Sequence, residues 1–84
     1  MEILKIAILG GTGKEGKGLG YRWAKAGHHV IIGSRQKEKA ELAVSEIKLM
    51  KPGLGEIIGT DNLSAASEAD VVVLTIPYTA HADM

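Results

Sequence analysis

The chain contains no cysteine, which excludes disulfides and thiolate metal sites and fits a cytoplasmic protein. It has no excess of either charge, because ten Lys and Arg balance ten Asp and Glu. A nucleic-acid or membrane-surface protein leaves a basic footprint, so neither partner is expected. Long apolar runs are also missing. The run near the start, Ile6-Ala7-Ile8-Leu9, is far too short for a signal-peptide core or a membrane span. No internal repeat, linker or low-complexity segment interrupts the 84 residues. That length suits one small domain, or a piece of a larger one, with a modest buried fraction.

Short apolar runs alternate with amphipathic ones. "ILKIAIL" (3–9) is aliphatic, ends at Gly10-Gly11, and predicts a buried strand. From about Glu15 to Ala26 the residues Leu19, Trp23 and Ala26 recur at helical spacing, with Gly27 as the C-terminal cap. "HVIIGS" (29–34) predicts a second strand. In 36–50 the residues Ala40, Ala43, Val44, Ile47 and Met50 form one stripe of a second helix, which Pro52-Gly53 stops. "EIIGT" (56–60) is a weak third strand. "NLSAASEA" (62–69) is a short helix or turn, with Asn62 or Ser64 as its cap. "DVVVLTIP" (70–77) is the clearest strand, ended by Pro77. Continuous rather than alternating apolar strands indicate a sheet covered on both faces. The expected fold is therefore α/β, a Rossmann-type doubly wound parallel sheet whose four strands run in the order 3-2-1-4.

Six of the thirteen residues in "ILGGTGKEGKGLG" (8–20) are glycine. Within it, Gly11-Thr12-Gly13-Lys14-Glu15-Gly16 matches G-x-G-x-x-G. The match follows a strand and opens a helix, which is the context that gives it meaning as a dinucleotide site. Gly11 allows the tight turn out of the strand, Gly13 lets a pyrophosphate touch the backbone, and Gly16 lets helix and sheet pack closely. The first-turn N–H groups and the positive helix end hold phosphates, and Thr12 adds a hydroxyl donor. Gly18 and Gly20 are less telling: they permit closer packing or have no role.

The end of the second strand also lacks something. NAD-binding folds place a carboxylate there for the ribose 2′-hydroxyl, whereas this chain has Gly33-Ser34-Arg35, followed by Lys37 and Lys39. A hydroxyl and a guanidinium suit a 2′-phosphate that a carboxylate would repel. Ser34, Arg35 and Lys39 therefore point to NADP, with Ser34 also suited to capping the second helix and Lys37 expected to face solvent. No carboxylate pair reads as catalytic, and His28 and His29 have no third ligand in sight for a metal. Trp23 reads as core. Glu56, Asp61 and Asp70 read as caps and solubilising charges, and His81 as an ordinary loop or helix residue. Thr75, Ile76 and Pro77 lie at the carboxyl edge, where their backbone is placed to line the nicotinamide end.

Taken together, Gly10 to Gly13, Gly16 to Leu19, Gly27-His28, Gly33 to Arg35 and Leu74 to Pro77 resemble the NADPH-dependent reductases of the deazaflavin coenzyme F420. The resemblance spans nearly the whole chain. It implies hydride transfer between nicotinamide C4 and deazaflavin C5, with Thr12, Ser34, Arg35 and Lys39 on NADP and with Ile76 and Pro77 near the nicotinamide. It also implies a dimer whose C-terminal region completes the F420 site. Residues 1–84 are then an NADP-binding domain, truncated and inactive alone, or a reduced module. Glu15 departs from the pattern: beside a pyrophosphate its charge is repulsive, so it must point away or weaken binding. Two alternatives stay open: another NADP-dependent dehydrogenase or imine reductase with the same N-terminal unit, and a non-catalytic NADP-sensing module.

Overall fold

Three continuous aliphatic runs and one weaker one become parallel strands, with helices in each connection. The structure, a computed structural model, describes residues 3–10, 13–50 and 55–75. The elements are β1 (Lys5–Leu9), α1 (Lys14–Lys25), β2 (His29–Ser34), α2 (Lys37–Met50), β3 (Ile57–Asp61), α3 (Asn62–Glu68) and β4 (Val71–Leu74). The sheet order is β3-β2-β1-β4, as expected. Register is continuous across it: Ile8 pairs with Ile32 and with Val73, and Ser34 pairs with Asp61. Pro52-Gly53 and the end of the fourth apolar run at Ile76-Pro77 lie outside the described residues.

Side chains alternate between two faces, as the pleat requires. Ile8, Val30, Ile32 and Ile57 meet Ala24, Ala40, Ala43, Val44 and Ile47 of α1 and α2 in the larger core. Ala7 and Ile31 meet Ala65 of α3 in the smaller one. The α2 stripe buries Ala40, Ala43, Val44 and Ile47 as its spacing predicts; the Met50 side chain lies outside the described ones. Trp23 packs, partly buried, against the larger core.

The buried face of α1 differs from its apolar spacing. Gly16, Gly20 and Ala24 face the sheet, Leu19 packs beside them, and Ala26 is exposed. A stripe of small residues at i, i+4 and i+8 brings the helix axis close to the strands. A methyl on Gly20 would stand 3.3 Å from Ile32 Cδ1 and 3.5 Å from Ile47 Cδ1. Gly18, by contrast, faces open space. The helix ends as expected at Gly27 (φ +102°). The Gly27 N–H donates to Ala24 O at 3.0 Å and the His28 N–H to Trp23 O at 3.1 Å, the paired bonds of a Schellman motif. His28 Nδ1 then accepts from the Leu4 N–H at 3.1 Å, fastening the turn to the entry of β1.

The cap of α3 is Asp61, not Asn62 or Ser64. Asp61 Oδ1 accepts from the Ser64 N–H at 2.8 Å and Oδ2 from the Ser64 hydroxyl at 3.0 Å. Asp61 is in the extended conformation that an N-cap takes, and the helix therefore begins at Asn62, earlier than a cap at Asn62 or Ser64 would start it. Asp70 helps join β4 to β1, accepting from the Lys5 N–H at 3.0 Å through its side chain.

Candidate functional site

Parallel strands expose their last backbone groups together at the carboxyl edge of the sheet, where ligands of such folds bind. Here the edge opens into a cavity of about 540 Å³. Its wall from β2 and the start of α2 is Ser34, Arg35, Gln36 and Lys39; Gly10, Asn62 and Thr75 close the other side. The three residues expected at a 2′-phosphate, Ser34, Arg35 and Lys39, are thus brought together. Lys37 is exposed and outside the lining.

Ser34 is buried, and its Oγ accepts from the Gln36 N–H at 3.2 Å. The Gln36 carbonyl in turn accepts from the N–H groups of Lys39 and Ala40, at 3.0 and 3.3 Å. The serine therefore forms the turn that starts α2, and a hydroxyl that accepts still has a proton to donate. Both expected readings of Ser34 are compatible in one side chain. Among the described residues, no carboxylate lines this cavity. Asp61, the register partner of Ser34, turns both of its oxygens to Ser64. Those two bonds, the backbone one first, hold its carboxyl below the ordinary aspartate value.

α1 begins at the same edge. Gly13 is its N-cap, extended at φ −81°, ψ 177°, and makes no side-chain cap bond. Its carbonyl accepts from the Lys17 N–H at 3.0 Å. Among the described residues, a methyl group at Gly13 would meet nothing within 4 Å. Neither packing against those residues nor backbone conformation therefore demands glycine there, and they leave the space beside the bare Cα open to a ligand. That fits a phosphate approaching the helix N-terminus. Gly16 is buried one turn on, in the packing role expected for it. Glu15 is exposed and lines a separate cavity of about 490 Å³, on the β4 side of α1, with Lys14, Gly18, Leu19, Arg22, Leu74 and Thr75. Glu15 thus lines a different cavity from Ser34 and Arg35.

Gly11, Thr12, Ile76 and Pro77 lie outside the described residues, as does His81. The left-handed residue leaving β1 among those described is Gly10, at φ +68°. Two contributors to the site were not singled out from the sequence: the Asn62 side chain, which accepts from the Gly10 N–H at 3.3 Å, and the Thr75 hydroxyl, 2.9 Å from Gly10 O. Asn62 was hidden by its resemblance to a helix cap, and Thr75 by a role assigned only to its backbone. Among the described residues no group of three His, Cys, Asp or Glu side chains is arranged to hold a metal ion. His29 Nδ1 instead stands 3.5 Å from Glu56 Oε1, beyond the opposite end of the strands.

Parallel order 3-2-1-4, a glycine-rich passage from β1 into α1 and a cavity beyond the carboxyl ends of β1 and β2 define a Rossmann-type α/β domain. A solved lactate dehydrogenase from Cryptosporidium parvum, complexed with lactic acid and nicotinamide adenine dinucleotide, shares this fold. It matches with a TM-score of 0.71 and 25% identity, over 90% of this chain and 25% of that one. The chain belongs to the family described as NADP oxidoreductase, coenzyme F420-dependent, whose sequence profile matches residues 5–84. Curated relatives agree. The F420-dependent NADP reductase of Methanocaldococcus jannaschii is 54% identical over 78 residues, 89% of this chain. That of Methanothermobacter thermautotrophicus is 51% identical over 80 residues, 93% of this chain. That of Methanothermobacter marburgensis is 46% identical over 78 residues, 92% of this chain. The chain spans about a third of their length, 34%, 34% and 35% respectively.

Proposed function

We propose that residues 1–84 are the NADP-binding domain of an oxidoreductase that moves a hydride between NADP(H) and the deazaflavin coenzyme F420. The observation that carries the proposal is the cavity at the end of β2, where Ser34, Arg35 and Lys39 converge and no carboxylate among the described residues lines the wall. A guanidinium and an ammonium with a hydroxyl donor match a phosphate monoester on the adenosine side. The N-terminus of α1, entered through a residue with no side chain, supports the pyrophosphate. The shared names of the relatives support F420 as the other substrate.

The nicotinamide and the deazaflavin supply the hydride chemistry when bound. This chain's residues bind and orient: Arg35, Lys39 and Ser34 hold the 2′-phosphate, Gly11, Thr12 and Gly13 the pyrophosphate, with Gly16 letting the phosphate-binding helix pack closely on the sheet, and Ile76 and Pro77 the nicotinamide end. No residue of this chain is assigned a proton transfer. The cysteine-free composition supports a cytoplasmic setting, and no helix among the described residues is long and apolar enough to cross a membrane. The family resemblance supports a homo-oligomer, a dimer, in the full-length protein. Paired titrations with NADPH and NADH test the reading. NADPH is expected to bind more tightly by about 1–3 kcal/mol, the scale of a charge-assisted contact. Equal affinities would remove the NADP assignment.

A further inference from the structure

Three observations meet at Asn62. Its Oδ1 accepts from the Gly10 N–H at 3.3 Å, joining residues 52 apart in sequence. The same oxygen lies where a side chain on Gly33 would begin, since a methyl there would stand 2.8 Å from it. On the far side of Gly10, the Thr75 hydroxyl lies 2.9 Å from Gly10 O and 3.0 Å from Leu9 O, and the Thr75 N–H donates to Leu9 O at 3.1 Å. Gly10 is thus gripped at both its N–H and its carbonyl, in the left-handed conformation from which the chain enters the glycine-rich passage. Asn62 is available for this because Asp61, not Asn62, caps α3.

We propose that Asn62 is a positioning residue for nucleotide binding. Its carboxamide crosses the bare Cα of Gly33 and, with Thr75, fixes Gly10 and hence the origin of the Gly11–Gly13 loop. The inference rests on the nucleotide-binding reading above and adds to it a residue and a reason for Gly33. That glycine makes room for a protein side chain rather than for the ligand. A loop displaced by even an ångström presents its N–H groups poorly to a phosphate. Loop position is common to every dinucleotide, so Asn62 acts equally on NADPH and NADH, whereas Arg35 acts on their difference.

The test uses the full-length protein carrying Asn62→Ala, Asn62→Asp and Gly33→Ala. Asn62→Ala is expected to speed hydrogen exchange at the Gly10 amide and to weaken NADPH and NADH by the same factor, about tenfold, leaving their ratio unchanged. Asn62→Asp, which keeps the acceptor, is expected to retain Gly10 protection and shows that the fold tolerates change at this position. Gly33→Ala is expected to reproduce the loss, and the double variant with Asn62→Ala to fall short of the summed effects, because the nearest approach, 2.8 Å to Asn62 Oδ1, is gone while those to Ala65 Cβ and Leu9 Cδ2, both 3.1 Å, remain. Unchanged affinities in Asn62→Ala, with normal NADPH binding by the unsubstituted protein, would overturn the positioning role alone. A loss confined to NADPH would overturn it too, by making Asn62 a 2′-phosphate contact. Failure of the unsubstituted protein to bind either nucleotide would overturn the parent reading and this one with it, while leaving Gly10 exchange as a ligand-free measure of the grip itself.

Discussion

In the proposed function, Gly13 and Arg35 divide the labour of recognition between shape and charge. At Gly13 the backbone is extended, and a methyl group there would meet none of the described residues within 4 Å, so a side chain starts without a clash. Gly13→Val is expected to lower the melting temperature modestly, because valine is a poorer N-cap than glycine, and to abolish binding of both nucleotides; retained binding by isothermal titration would show that no phosphate approaches this Cα. Arg35 is exposed at the rim of the cavity and its removal costs no packing. Arg35→Asp is expected to erase the NADPH preference of about 1–3 kcal/mol while the fold persists, measured by the same paired titrations. These two residues were legible in the sequence because a motif and a missing carboxylate mark them. Asn62 was not, because its partners Gly10 and Gly33 are remote in sequence and come together only when β1, β2 and α3 are assembled.

Among the elements, β2 was read to its exact bounds because an unbroken apolar run lies between His28 and the Ser34 turn. The sheet-facing side of α1 was misjudged at Ala26, since glycine carries no hydropathy signal and the packing stripe is Gly16, Gly20 and Ala24. A similar close approach holds α2 to β3. A methyl on Gly59 would stand 2.6 Å from both the carbonyl carbon and oxygen of Ala40. Backbone cannot yield as a side chain can, so Gly59→Ala is expected to destabilise the fold by about 1–3 kcal/mol or more, measured by urea denaturation. The cap of α3 adds a dependence on pH. Because the Ser64 N–H and hydroxyl hold the Asp61 carboxyl below its ordinary value, its folded pKa is below its unfolded one. The resulting stabilisation is fully present above about pH 4 and is lost as pH falls through the folded value. The difference in melting temperature between the unsubstituted chain and Asp61→Ala should accordingly shrink on acidification; a difference that stays constant would mean the carboxylate is not the stabilising group.

For the molecule as a whole, the two faces and the two edges are unequal. α1 and α2 cover one face, joined by a Lys17 Nζ–Glu46 Oε1 ion pair at 2.6 Å, while α3 covers only part of the other. β4 forms one edge of the sheet and leaves Val72 47% and Leu74 64% exposed. Apolar edge strands pair with further chain or with other molecules. The 84-residue chain is therefore expected to self-associate in light scattering, and Val72→Lys to reduce it; a monodisperse monomer at high concentration would contradict this. The alternation of strand and helix made the order 3-2-1-4 legible, but no local pattern in "DVVVL" distinguishes a strand covered on both faces from one left bare.

The inequality between the two cores extends to motion. The larger cluster gathers side chains from β1, β2, β3, α1 and α2, whereas the smaller adds only Ala65 of α3 to Ala7 and Ile31. Opening events that release α3 or β4 expose little buried surface and should be frequent, while those that separate β1 from β2 must dismantle the main cluster. Ser34 ends one of those two central strands and Gly10 directly follows the other, so the cavity they line is anchored to the part of the chain that breathes least.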